Sequence, residues 1–158
     1  MFLPQFSKGN TRQMREGLRS GRTKTHIAKS RIRNAGNGLF ANFPIKRLGL
    51  ADEFFSMVPH KNRNEANKLR QQKLATHCIK FSYDEICDGI KDPKDAPANG
   101  KASFANDDRK QFKANCCYVW LTYFPTRVFL KALRDIEIGE ELYVSYGKTY
   151  WKIHSIKN

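Results

Sequence analysis

The stretch RDIEIGEELYVSYGKTYW (residues 134–151) decides the fold of this chain. A turn at Gly139 leads into LYVSYG (142–147), whose β-branched and aromatic residues predict a strand that ends at Gly147. Two further aromatic residues, Tyr150 and Trp151, follow at once. Taken alone, Tyr146 would more often be a core tyrosine with a satisfied hydroxyl, so the stretch needs support from the rest of the chain.

The residues before this stretch predict a chain rich in β-structure. The segments CCYVWLTYF (116–124) and RVFLKAL (127–133) are separated by Pro125-Thr126, which favours a β-hairpin turning at that dipeptide. Residues 88–101 contain two prolines and two glycines and predict a loop, whereas residues 61–75 predict one exposed, marginal helix. We therefore expect a β-rich α+β fold.

Two other motifs bear on chemistry, although each is weak by itself. In NAGNGLFA (34–41), two glycines one residue apart allow a positive φ and a close backbone approach to a ligand, yet most such pairs only make a turn. KASFANDD (101–108) is followed by ANCCY (114–118), and an asparagine in the first segment often does no more than cap a turn.

The order of the three motifs resembles the SET-domain family. The matching features are the GxGLFA turn, an Asn-centred segment followed by Asn-Cys, and a closing I-x-x-GEEL-x-x-x-YG, together spanning about residues 29–151. The resemblance implies a SET fold of short curved β-sheets with a C-terminal pseudoknot, in a compact member without zinc-binding flanks. The implied organisation is a basic arm (1–22), a SET domain (23–152) with a divergent insert at about 52–100, and a tail (153–158).

The resemblance also implies an enzyme that transfers a methyl group from S-adenosyl-L-methionine to a protein lysine. Tyr146 would be the catalytic tyrosine, and Tyr118 would restrict how many methyl groups are added. The residues expected to bind the cofactor are Gly36, Asn37, Gly38, Asn106, Asp107, Tyr146 and Trp151. No metal is expected, because methyl transfer from a sulfonium needs none.

The charge of the chain indicates acidic partners. Lys and Arg total 29 against 15 Asp and Glu, a formal net charge of +14, which favours nucleic acid or nucleosome surfaces. We expect a histone tail or another basic protein as substrate, and possible nucleosome contact through the basic arm. No apolar run is long enough to span a membrane, and the four cysteines fit thiols in a reducing compartment. An intracellular location follows, nuclear if the source is eukaryotic or viral.

Two alternatives remain open at this point. The family's usual Asn-His pair is Asn106-Asp107 here, and PIKRLGLADEFF (44–55) matches the family poorly. Both departures favour an inactive SET-like module that binds nucleic acid or chromatin. A small basic nucleic-acid-binding protein unrelated to SET domains is the other alternative, supported by net charge alone.

Overall fold

The computed structural model describes residues 5–6, 23–55, 61–62, 78–80, 85–107, 112–121 and 124–154. Their ten strands are β1 (Gln5–Phe6), β2 (Thr25–Lys29), β3 (Asn37–Ala41), β4 (Leu50–Phe54), β5 (Lys61–Asn62), β6 (Cys78–Lys80), β7 (Glu85–Asp88), β8 (Cys116–Leu121), β9 (Phe124–Ala132) and β10 (Glu141–Leu142). The described helical elements are two 3-10 turns, Pro93–Asp95 and Ala102–Phe104, and one α-helix, α1 (Gly147–His154). The fold is β-rich, as predicted, with little helix.

Strands β8 and β9 form the predicted hairpin, but its turn lies elsewhere. The two strands pair antiparallel from Cys116 opposite Ala132 to Leu121 opposite Phe124. The connection is therefore residues 122–123, which lie outside the described residues, and Pro125 belongs to β9 instead of the turn. Strand β4 pairs with β9 on the far side, and β1 lies parallel to β8. Two residues of the predicted basic arm thus join this four-stranded sheet.

Strand β3 lies at the centre of a three-stranded sheet that joins the first and last motifs. It pairs antiparallel with β2 on one side and with β10 on the other, where Glu141 faces Phe40. The NAGNGLFA and GEEL motifs are thereby neighbours, although a hundred residues separate them in sequence. A third small sheet, in the order β5-β7-β6, comes from the divergent middle of the chain.

The main hydrophobic core lies between the first two sheets. Its fully buried side chains include Leu39 of β3, Leu130 of β9 and Leu142 of β10. Burial is continuous over residues 128–132, so this part of β9 is covered on both faces. This explains why four of these five residues are apolar and do not alternate with polar ones, Lys131 being the exception.

Other predicted elements differ in extent. The strand predicted at 142–147 is only β10, a single bridge at Tyr143 and three irregular residues, because Gly147 already begins α1 with φ +81°. The turn at Gly139 is confirmed, with φ +75°. Of the helix predicted at 61–75, Lys61–Asn62 are a strand and the remainder lies outside the described residues. Within the part of the chain that the structure describes, no helix is long and apolar enough to cross a membrane.

Candidate active site

The first glycine of the NAGNGLFA motif makes a tight loop before β3. Ser30 N–H donates to the Gly36 carbonyl over 2.9 Å and closes the loop, and Asn34 and Gly36 take φ values of +64° and +75°. Glycine tolerates such a φ without strain, and asparagine is among the few other residues that do. A Cβ at Gly36 would meet no atom within 4 Å. The loop therefore presents exposed backbone beside open space.

The second glycine, Gly38, packs its backbone against a buried carboxylate. It lies buried in β3, where an added Cβ would be 2.2 Å from Glu141 Oε1 and 3.2 Å from Ser30 Cα. The space beside Gly38 is thus filled by the Glu141 carboxylate. That carboxylate accepts hydrogen bonds from Ser30 Oγ (2.6 Å), Arg31 N–H (2.7 Å) and the Tyr143 hydroxyl (2.9 Å). Glu141 thereby ties the loop after β2 to the closing motif.

Asn106 joins the glycine turn to the closing motif. Its side-chain N–H donates to the Asn37 carbonyl over 2.8 Å. Its own carbonyl accepts from Val144 N–H over 2.9 Å, in a parallel bridge between Asn106 and Tyr143. All three motifs therefore meet at this asparagine.

Tyr146 places its hydroxyl on the backbone of the Asn106 segment. The hydroxyl donates to the Ala105 carbonyl over 3.0 Å. Burial raises the pKa of Tyr146 well above its ordinary value of 10.0, and the neighbouring Tyr150 and Asp107 raise it further. Part of the residue remains exposed. Tyr146 is consequently a neutral hydrogen-bond donor at physiological pH.

Tyr118 approaches the same segment from β8. Its hydroxyl donates to the Ala102 carbonyl over 2.8 Å, and its ring meets Phe54 edge-on at 5.7 Å. Burial raises its pKa well above 10.0, with a further contribution from Tyr146. The two tyrosines thus bind carbonyls three residues apart on one short turn.

The Asp107 side chain accepts two hydrogen bonds from the stretch 134–151. Its Oδ2 accepts from Tyr146 N–H over 2.7 Å and from Trp151 Nε1–H over 2.9 Å. The Trp151 ring lies 6.3 Å from the Tyr146 ring at an interplanar angle of 20°. The sequence indicated neither contact of this carboxylate.

Comparison with protein families agrees with this arrangement. The SET domain model matches residues 36–147, more than half of the chain. This chain belongs to the SET-domain family. Comparison with curated proteins finds no significant match. The matched region begins at the first glycine of the turn and ends immediately after Tyr146, so it contains every candidate site residue except Trp151.

This SET domain relies on two buried polar residues that belong to the Asn-Cys and GEEL motifs but were not predicted as site residues. Besides Glu141, Asn115 is fully buried: its Oδ1 accepts from Tyr143 N–H (2.7 Å) and its Nδ2 donates to the Glu141 carbonyl (2.8 Å). It thereby supports the segment that leads to Tyr146. The available signal was the place of these residues in the Asn-Cys and GEEL motifs, which does not reveal that their side chains are buried and bonded to one segment.

The described residues contain no group of three or more His, Cys, Asp or Glu placed to hold a metal ion. Cys116 is buried and Cys117 half-buried, and both are free thiols. Burial raises the pKa of each, which makes them poor nucleophiles near neutral pH.

Proposed function

We propose that this SET domain is an S-adenosyl-L-methionine-dependent protein-lysine N-methyltransferase. SET-domain proteins are usually protein-lysine methyltransferases and generally use this cofactor. The observation that carries the proposal is the hydrogen bond from the neutral Tyr146 hydroxyl to the Ala105 carbonyl, next to a segment tied to the glycine turn through Asn106. Because its one proton is engaged there, the hydroxyl oxygen can accept a hydrogen bond from an amine N–H, which suits the positioning of a lysine amine.

The residues present fit the cofactor. Gly36 offers exposed backbone with no atom within 4 Å of its missing side chain, and a turn of this kind suits a small carboxylate. Trp151 is half-buried and offers a flat apolar ring suited to stacking on an adenine. The amide nitrogen of Asn106 is engaged by Asn37, so Asn106 would bind through its remaining groups, and Asp107 through its backbone.

When bound, the cofactor supplies a methyl group already activated by its sulfonium. The protein must align a lysine amine with that methyl at about 3 to 3.5 Å. Because an ordinary lysine pKa is near 10.4, the amine must first release its proton to solvent, which a desolvated channel favours. Tyr146 then holds the neutral amine, and Tyr118 restricts the space around it. We include the family's C-terminal pseudoknot in the proposal, supported by the parallel bridge between Asn106 and Tyr143.

The proposed substrate is a histone tail or another basic protein, with nucleosome contact through the basic arm and an intracellular, chromatin-associated location. Membership of the SET-domain family supports a protein substrate, and the net charge of +14 supports contact with the acidic nucleosome surface. The alternative is an inactive SET-like module that binds nucleic acid or chromatin. The replacement of the family's histidine by Asp107 favours it. Binding of S-adenosyl-L-methionine, measured by calorimetry, separates the two, since a pure nucleic-acid module should bind none.

Incubation with labelled cofactor and a histone mixture tests the activity, and Tyr146→Phe tests the assignment. Loss of the hydroxyl should lower turnover by roughly 100-fold or more, the scale of losing a positioning group, with little change in cofactor affinity. Tyr143→Phe is the matched control, because it removes a buried hydroxyl bonded to Glu141 and should act mainly on stability. Near-normal turnover in Tyr146→Phe would place the catalytic tyrosine elsewhere.

A further inference from the structure

Asp107 holds two donors with one carboxylate oxygen. The donors are the backbone N–H of Tyr146, at the start of the segment leading into α1, and the indole N–H of Trp151 within that helix. Hydrogen bonds to a charged acceptor are stronger than neutral ones, and here both converge on Oδ2. This carboxylate thereby fixes the tyrosine backbone and the helix that follows it relative to each other.

We propose that Asp107 is a positioning residue that holds Trp151 against Tyr146. The ring proposed to stack on the adenine and the proposed catalytic tyrosine are thereby fixed relative to each other. The inference rests on the proposed function for its catalytic consequence. Its structural part rests on the two bonds and on ring packing: Tyr150 meets the rings of Tyr146 and Trp151 edge-on at 4.7 Å and 5.2 Å. With Tyr146 lying nearly parallel to Trp151, the three rings form one packed unit above the Asp107 carboxylate.

The chemistry of the acceptor explains why aspartate suits this position. A carboxylate oxygen has two lone pairs and accepts two N–H groups, whereas a neutral imidazole offers one acceptor nitrogen with a single lone pair. The family's usual histidine could not accept both donors at one atom. Asp107 and Trp151 are therefore chemically complementary, with the indole donor 44 residues after the carboxylate.

The charge of Asp107 has a second effect on the same tyrosine. It raises the pKa of Tyr146, after the larger effects of burial and of Tyr150. The charge of Asp107 keeps the Tyr146 hydroxyl protonated, and its carboxylate holds the Tyr146 backbone. Both effects favour a neutral hydroxyl in a fixed place.

The experiment compares Asp107→Ala, Asp107→Asn and Asp107→His in a Trp120→Phe background. The chain has two tryptophans, so Trp151 then gives the only indole emission. Emission and acrylamide quenching report on the Trp151 environment without requiring activity. Dissociation constants for S-adenosyl-L-methionine and kcat are measured on the same proteins. Asp135→Ala is the matched control, since Asp135 also accepts two bonds, from Lys46 Nζ and Arg47 N–H, on an exposed ribbon.

Asp107→Ala should expose Trp151 to acrylamide and weaken cofactor affinity roughly tenfold or more, the scale of losing bonds to a charged group. Asp107→Asn should lose less affinity than Asp107→Ala, because its amide oxygen has two lone pairs for the two donors although the bonds are no longer charge-assisted. Asp107→His should behave like Asp107→Ala, and Asp135→Ala should change neither readout.

Unchanged quenching and affinity in Asp107→Ala, or an Asp107→His variant equal to Asp107→Asn, would overturn the proposal. Should Asp107→Ala not fold, Trp151→Phe provides the test: after loss of the indole donor, Asp107→His should add little further loss of affinity, and full additivity contradicts the pairing. If the wild type binds no S-adenosyl-L-methionine, the proposed function fails. The quenching data still test whether Asp107 holds Trp151.

Discussion

Gly38→Ala should destabilise this protein far more than Gly36→Ala, although the two glycines are only two positions apart in one motif. A Cβ at Gly38 would lie 2.2 Å from Glu141 Oε1 and 2.9 Å from its Cδ, so the carboxylate must move. That carboxylate is fully buried and held by three hydrogen bonds, and loss of two of them costs about 3 to 5 kcal/mol. For a protein of this size, the Tm should fall by roughly 10 °C or more.

Gly36→Ala is the matched control. Its Cβ would enter open space, so only the φ of +75° opposes the substitution, at about 1 kcal/mol. Urea unfolding at 25 °C measures both variants. Loss of cofactor-induced stabilisation in a folded protein therefore tests a direct ligand contact at Gly36, whereas at Gly38 it would follow from damage to the fold.

A double-mutant cycle isolates the cause. In a Glu141→Ala background, Gly38→Ala should cost only about 1 kcal/mol, because the carboxylate is gone and only the 3.2 Å approach to Ser30 Cα remains. The reasoning is refuted if Gly38→Ala costs the same in both backgrounds, or no more than Gly36→Ala does in the wild type.

Three further predictions concern the tyrosines and the arm. Tyr118→Phe should add further methyl groups to the same lysine, because the hydroxyl that now donates to the Ala102 carbonyl restricts the space; mass spectrometry showing an unchanged product distribution rules this out. Replacement of Arg12, Arg15 and Arg19 by Gln, which leaves β1 intact, should weaken nucleosome binding and flatten its salt dependence, since counterion release scales with the phosphates neutralised; equal salt slopes would contradict a role of the arm in binding. Stability should fall as pH rises above the unfolded tyrosine pKa of 10.0, because the folded pKa values of Tyr118 and Tyr146 are higher and the folded state then holds more protons. Between about pH 9 and 11, the free energy of unfolding measured in urea should decline less steeply in Tyr118→Phe and Tyr146→Phe than in the wild type. Identical slopes would contradict the raised pKa values of the two buried tyrosines.

The sequence by itself determined the family and the general class of fold. Three short motifs in a fixed order were sufficient, because each carries a local requirement: a positive φ at Gly36, a turn at Gly139, and apolar runs for β8 and β9. Local requirements of this kind can be recognised from the sequence alone. Boundaries were less accurate, since Pro125 lies within β9 and the strand predicted at 142–147 ends early at β10.

Only the tertiary structure decided which partner each polar side chain meets. The sequence did not show that the space beside Gly38 is filled by Glu141, 103 residues later. Asp107 resembled a defect in an Asn-His pair until its carboxylate was seen to hold Tyr146 and Trp151. Such contacts depend on how β3, β10 and α1 are brought together by burial of the core, and no local pattern encodes a partner so distant in the chain.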